Sequence, residues 1–170
     1  MSERWSTPSI VLHWLSAVAL LVVVVAGLVL QELPADAGAR RVLSGMHSVL
    51  GIALVVMTVA RLVVLRRLGR AAPLPLPPLH ALVVRAVHVA SYATLIAVGV
   101  TGFATAKPSQ WHEFIKGDVP TAPDFADVAS RQVHEALVLL LGALLVAHVA
   151  GVVVQQLRPG GVLRRMLPGR

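Results

Sequence analysis

The chain has 170 residues, 56% hydrophobic and 14% charged, with a mean hydropathy of +0.78, which is too apolar for an ordinary soluble domain and points to a membrane protein. It has no cysteine, which excludes disulfides, thiolate metal sites, iron–sulfur clusters and covalently attached c-type haem, so any cofactor is held noncovalently. The formal charge of +7 is not read as a nucleic-acid signal, because the basic residues gather on one side once the membrane-crossing stretches are drawn.

The chain opens with a short lead in which Ser6-Thr7-Pro8 is a reasonable helix start, Pro being tolerated in a first turn. Trp14 to Leu30 is uncharged and long enough to cross about 30 Å of hydrocarbon, and the first span is predicted over about 9–31. The small residues of "ADAGA" after it raise the alternative of a cleaved secretory signal. The stretch is longer than a usual signal core, however, and opens on a polar intrusion, "LHW", that a signal does not need. "QELPADAGARR" is a short outer turn. The second span, about 42–66, is apolar except for His47 and Arg61, the latter able to snorkel or to pair inside a bundle, and Gly45 and Gly51 allow close packing near its start.

"RRLGRAAPLPLPPLH" holds Pro73, Pro75, Pro77 and Pro78, a spacing that favours an extended polyproline connector. The third span, about 82–106, ends before Pro108. "KPSQWHEFIKGDVPTAPDFADVASRQ" is the longest non-spanning piece, and "DFADVASRQVHEAL" has apolar residues at helical spacing, which predicts an amphipathic lead into the fourth span, about 132–157. No repeat and no separate soluble domain is evident. The expected fold is all-α, a single domain over 1–170 forming an integral membrane four-helix bundle, since helices are one of only two ways to satisfy the backbone in lipid.

An odd number of crossings between them puts the N-terminus, the Arg61–Arg85 region and the C-terminal tail on one side. That side holds ten arginines (Arg4, Arg61, Arg66, Arg67, Arg70, Arg85, Arg158, Arg164, Arg165 and Arg170) against Glu3, a net of +9. The other side holds Arg40, Arg41, Lys107, Lys116 and Arg131 against seven acids, a net of −2. The positive-inside rule makes both termini cytoplasmic, with anionic lipid as the neighbour of the basic side.

Seven histidines in so apolar a chain need explanation, because ionisable groups within spans are costly; each is a functional candidate or a polar contact between helices. His13 lies at the inner end of the first span, His47 at the outer end of the second, and His134 and His148 at the outer and inner ends of the fourth. From His134 to His148 fourteen residues rise about 21 Å and turn about 40° short of four full turns. Both imidazoles therefore leave one face at two depths, separated by Val138, Leu141 and Leu145. Neutral imidazole is the usual protein ligand of haem iron, and a six-coordinate b-type haem takes two from facing helices. Arg61 stands fourteen residues after His47 and is a candidate partner for haem propionates or a snorkelling anchor. His88 is either a replacement ligand at the inner level or, with Tyr92 one turn on, a polar pair for a quinone carbonyl. His80 and His112 are expected on the solvated surface.

The strings "VLHW" at His13, "MHSVLG" at His47, "VHVASYATLIAVGVTG" at His88, "VHEALVLLLGALLVAHV" at His134 and His148, and the closing "GGVLRRMLP" run in order through almost the whole chain. Together they resemble the bacterial cytochrome b561 family, small four-helix di-haem cytochromes related to the cytochrome b subunits of nickel hydrogenases and formate dehydrogenases. The resemblance implies axial ligation by His47 with His134 at an outer haem b and by His13 with His148 at an inner one. It further implies electron transfer in the bacterial inner membrane between a periplasmic donor and the quinone pool, ubiquinone being the expected acceptor. The quinone site would fall near His88, Tyr92 and Trp14.

One branch of that family oxidises superoxide while reducing ubiquinone; another role is a membrane anchor relaying electrons for a periplasmic redox protein. An anionic substrate is steered by positive potential, whereas the outer side sums to −2, leaving Arg40 with Arg41, or Lys107 and Lys116 near His112, as local positive clusters. A histidine-based metal transporter is the rival class. Transport usually brings intramembrane acids and internal repeats, and Glu135 is the only acid inside a predicted span here.

Overall fold

The structure, a computed structural model, describes residues 4–158 and 161–167; Glu3 and Arg170 of the charge balance, and Gly160 and Pro168 of the closing string, lie outside them. Five α-helices and one 3₁₀ turn follow in order: α1 (Thr7–Glu32), α2 (Gly38–Leu68), α3 (Pro78–Ala106), α4 (Trp111–Lys116), α5 (Ala129–Gln156) and the turn Leu163–Met166. Among the described residues there is no strand. α1, α2, α3 and α5 are each long and apolar enough to cross a membrane, and together they form an all-α membrane bundle.

Local chemistry sets most helix ends. Pro8 and Pro78 stand in the first turns of α1 and α3, where a missing N–H costs nothing. Leu33, the residue before Pro34, is extended at φ −83° and ψ 139° and so stops α1. α2 ends on Gly69 at φ +76°, a conformation that favours glycine. Residues 69–77 form no regular element, and Pro77 at φ −54° and ψ 146° is close to polyproline geometry, as the proline spacing predicts.

The helices run beyond several of the expected span limits because polar residues at the interface continue them. α2 starts at Gly38 and carries Arg40 and Arg41 in its opening turns; its 31 residues rise about 46 Å, well past the hydrocarbon thickness. The expected amphipathic lead into α5 is helical from Ala129, three residues before the expected span, whereas 124–128 form a turn in which the Asp124 carboxylate accepts the Ala126 N–H at 2.9 Å. The outer segment contains a short helix that periodicity does not announce. A six-residue helix is not stable alone, and α4 is held by its contacts. Phe114 is 1% exposed beneath the Arg41 guanidinium, and the Trp111 indole donates to Ser48 Oγ at 3.0 Å.

α1 packs along α2 and α3 along α5, making two hairpins that meet mainly where α2 crosses α3. At that crossing Gly99 is required, since a Cβ there would lie 2.2 Å from Val55 Cγ2. Val18, Leu21, Leu139 and Val146 point away from the bundle, as suits side chains that face lipid tails.

Candidate functional site

At the level called outer after the expected topology, His47 on α2 and His134 on α5 face each other across the hairpins with ring centres 6.4 Å apart. Each is oriented by the other helix of its own hairpin. His47 Nδ1–H donates to Val23 O on α1 at 3.1 Å, and His134 Nδ1–H donates to Val98 O on α3 at 3.0 Å. A carbonyl only accepts, so the ring proton sits on Nδ1 and each Nε2 lone pair is free to bind a metal. Glycines make these approaches possible: a Cβ at Gly27 would stand 3.1 Å from His47 Cε1, and one at Gly102 would stand 3.2 Å from His134 Cε1.

At the inner level His13 on α1 and His148 on α5 have ring centres 6.3 Å apart. His88 on α3 lies nearer, with 5.1 Å between its ring centre and that of His148, and its Nδ1–H donates to Val84 O of its own helix at 2.7 Å. The Arg61 guanidinium stands over the Tyr92 ring at 5.5 Å, and its buried Nε has no hydrogen-bond partner. His13, His88, His148, Arg61 and Tyr92 are thus brought to one level of the bundle. Trp14 is 42% exposed and stacks edge-on to His13, but its indole N–H is engaged by Met166 O at 2.8 Å.

Between the two levels lie Leu54 on α2 and Leu141 on α5, 3% and 5% exposed, each seven residues past its outer histidine. Val138 and Leu145 flank Leu141 and are half-buried. The surface reading holds for His112, which is exposed, but not for His80. That residue is half-buried, with its Nε2 3.3 Å from Nε2 of the buried Gln155. Its proline-loop context suggested solvent, but α3 starts at Pro78 and turns it onto α5.

The hairpins also correspond at a few marked positions. His13 and His88, Val23 and Val98, and Gly27 and Gly102 are each 75 residues apart, whereas His47 and His134, Leu54 and Leu141, and Arg61 and His148 are each 87 apart. The offset changes because the second hairpin's connection is longer and contains α4. No single period aligns both halves.

This donor set fits a porphyrin-bound metal. The porphyrin leaves two axial positions to the protein, and two metal–imidazole bonds of about 2 Å each, extended by about 1 Å to each ring centre, separate the ring centres by about 6 Å. The His47–His134 and His13–His148 separations match that spacing; His88–His148 falls short of it. Among the described residues no group of three or more His, Cys, Asp or Glu is arranged to hold a bare ion. A Cβ at Gly51, one turn after His47, would meet nothing within 4 Å, which leaves room beside the outer pair.

A four-helix membrane bundle with histidines facing in pairs at two depths is the architecture of a membrane b-type cytochrome. The chain matches the family model of prokaryotic cytochrome b561 over residues 4–169 and belongs to that family. It is accordingly a multi-pass bacterial membrane protein of haem b electron transfer. No curated protein matches it significantly.

Proposed function

We propose that the chain holds two b haems and carries single electrons between a donor outside the bacterial inner membrane and the quinone pool. The observation that carries this reading is the pair of cross-hairpin imidazole separations, 6.4 Å for His47–His134 and 6.3 Å for His13–His148. In this reading those four residues are the axial ligands, and the unpartnered Nε of Arg61 favours it as a clamp for inner propionates. The bound haems supply the one-electron chemistry. The protein fixes the outer imidazole tautomers through Val23 O and Val98 O and insulates the two levels with Leu54 and Leu141.

His88 and Tyr92 are the proposed polar contacts of the quinone, ubiquinone by preference, because His88 stands closer to His148 than an axial partner does. Trp14 contributes a wall instead of a donor, its N–H being engaged by the C-terminal turn. The basic excess of the side bearing both termini favours its being cytoplasmic. For the donor, the outer net charge of −2 favours a periplasmic redox protein over superoxide. Rapid loss of a superoxide pulse with purified protein and quinone, beyond that given by a haem-free variant, would reverse that choice.

The test of the central reading is an optical spectrum with haem quantification. Two b haems per chain are expected in the parent protein and one in each of His134→Ala and His148→Ala. Retention of both haems by either variant refutes the ligand assignment.

A further inference from the structure

The outer histidines meet the same two features on their neighbouring helices, a carbonyl (Val23 or Val98) and a glycine one turn later (Gly27 or Gly102). The two helices differ in polarity at one position beside these features. Immediately before the glycine stands Ala26 in α1 and Thr101 in α3. Ala26 is 3% exposed and offers His47 no polar atom, whereas Thr101 Oγ1 lies 3.3 Å from His134 Nδ1.

The direction of that contact follows from proton accounting. The Thr101 hydroxyl is within donating distance of two carbonyls of its own helix, Ala97 O at 2.9 Å and Val98 O at 3.0 Å, so its single hydrogen is directed there. An oxygen lone pair is left toward His134, whose Nδ1–H is then shared between Val98 O and Thr101 Oγ1. A second acceptor on the distal N–H draws the proton outward and raises the basicity of Nε2, which strengthens ligation of the more positive metal state. His47 receives this help from one acceptor only.

We propose that Thr101 is a positioning residue for electron transfer, which makes His134 the stronger of the two outer axial ligands and thereby lowers the reduction potential of the outer haem relative to an arrangement with Ala26 on both sides. This rests on the di-haem reading above. It concerns one haem, so the other is an internal control.

The experiment is a spectroscopic redox titration of the full-length chain in detergent, with haem content and low-temperature electron paramagnetic resonance, on the parent, Thr101→Val, Thr101→Ala and Thr101→Ser. Thr101→Val and Thr101→Ala are expected to keep two haems. They should favour the ferrous form of the outer haem by up to about tenfold, an upward shift of up to about 59 mV for a one-electron couple, with a changed resonance signature. The inner haem should not move. Thr101→Ser restores the acceptor and should titrate like the parent. If whichever of Val and Ala retains two haems leaves both potentials and the resonance unchanged, or shifts both haems equally, the proposal is overturned. The outer haem is identified as the one lost in His134→Ala. If His134→Ala keeps both haems, the ligand reading fails first and the role of Thr101 with it, an outcome distinct from failure of Thr101 alone.

Discussion

The crossing of α2 and α3 joins the hairpins, and substituting Gly99 probes it directly. A Cβ on residue 99 would lie 2.2 Å from Val55 Cγ2 and 3.6 Å from Val55 Cβ. Carbon atoms rest about 3.5–4.0 Å apart, so one methyl contact overlaps by well over 1 Å. Val55 cannot easily turn aside, because a β-branched side chain on a helix holds one χ1 rotamer; the helices must part instead. Overpacking of this kind costs about 1–3 kcal/mol, and replacing glycine by alanine in a helix returns up to about 1 kcal/mol. Gly99→Ala should therefore lose about 1–2 kcal/mol net. Val55→Ala removes the clashing methyl, so Gly99→Ala/Val55→Ala should be more stable than the sum of the single changes by about 1–2 kcal/mol, within the range for touching residues. The assay is reversible unfolding in mixed micelles, followed by helicity and haem absorbance. Strict additivity, or a Gly99→Ala protein as stable as the parent, would refute the packing argument.

Other substitutions separate roles at the two ends. His88→Ala should keep both haems and slow quinone reduction by about a hundredfold, the scale of losing a positioned acid–base group, here an imidazole whose Nε2 is left to take up and pass on a proton while Nδ1–H is held by Val84 O; loss of a haem would make His88 a ligand and displace His13. At the outer end, Trp111→Phe deletes the indole bond to Ser48 while keeping an aromatic ring against Phe125. Haem content should stay unchanged, while amide exchange over residues 111–117 quickens by an amount matching about 1 kcal/mol. Unaltered exchange there would mean that α4 is held by Phe114 and Arg41 without that bond.

The four spans were legible because apolar length is the strongest signal a membrane protein offers, and the level of each histidine followed from counting residues along its helix. α4 was not legible, since its six residues owe their helix to contacts with Ser48, Gly45 and Arg41, far away in the chain. Nor was the burial of His80, which depends on where the proline connector stops and α3 starts. The asymmetry at Thr101 was beyond reach for another reason. A threonine in a span is ordinary, and it matters only because His134 arrives from a different helix.

The docking glycines are a different case, because their signal lay in the sequence at the same spacing already used for the fourth span. His134 and His148 are fourteen residues apart, and so are His47 and Arg61, His13 and Gly27, and His88 and Gly102. Fourteen residues return a helix to nearly the same face about 21 Å further on, so each span carries one marked position at each depth. At the outer depth α2 and α5 supply imidazoles while α1 and α3 supply the glycines against which those rings rest. At the inner depth three helices supply histidine and α2 supplies Arg61. The two levels are thus built differently from a common plan. The outer one holds a single facing pair of imidazoles, enough for the two axial positions of the proposed haem. The inner one has a third histidine and a cation besides its facing pair, the groups that the proposed reading assigns to an acceptor and to propionates.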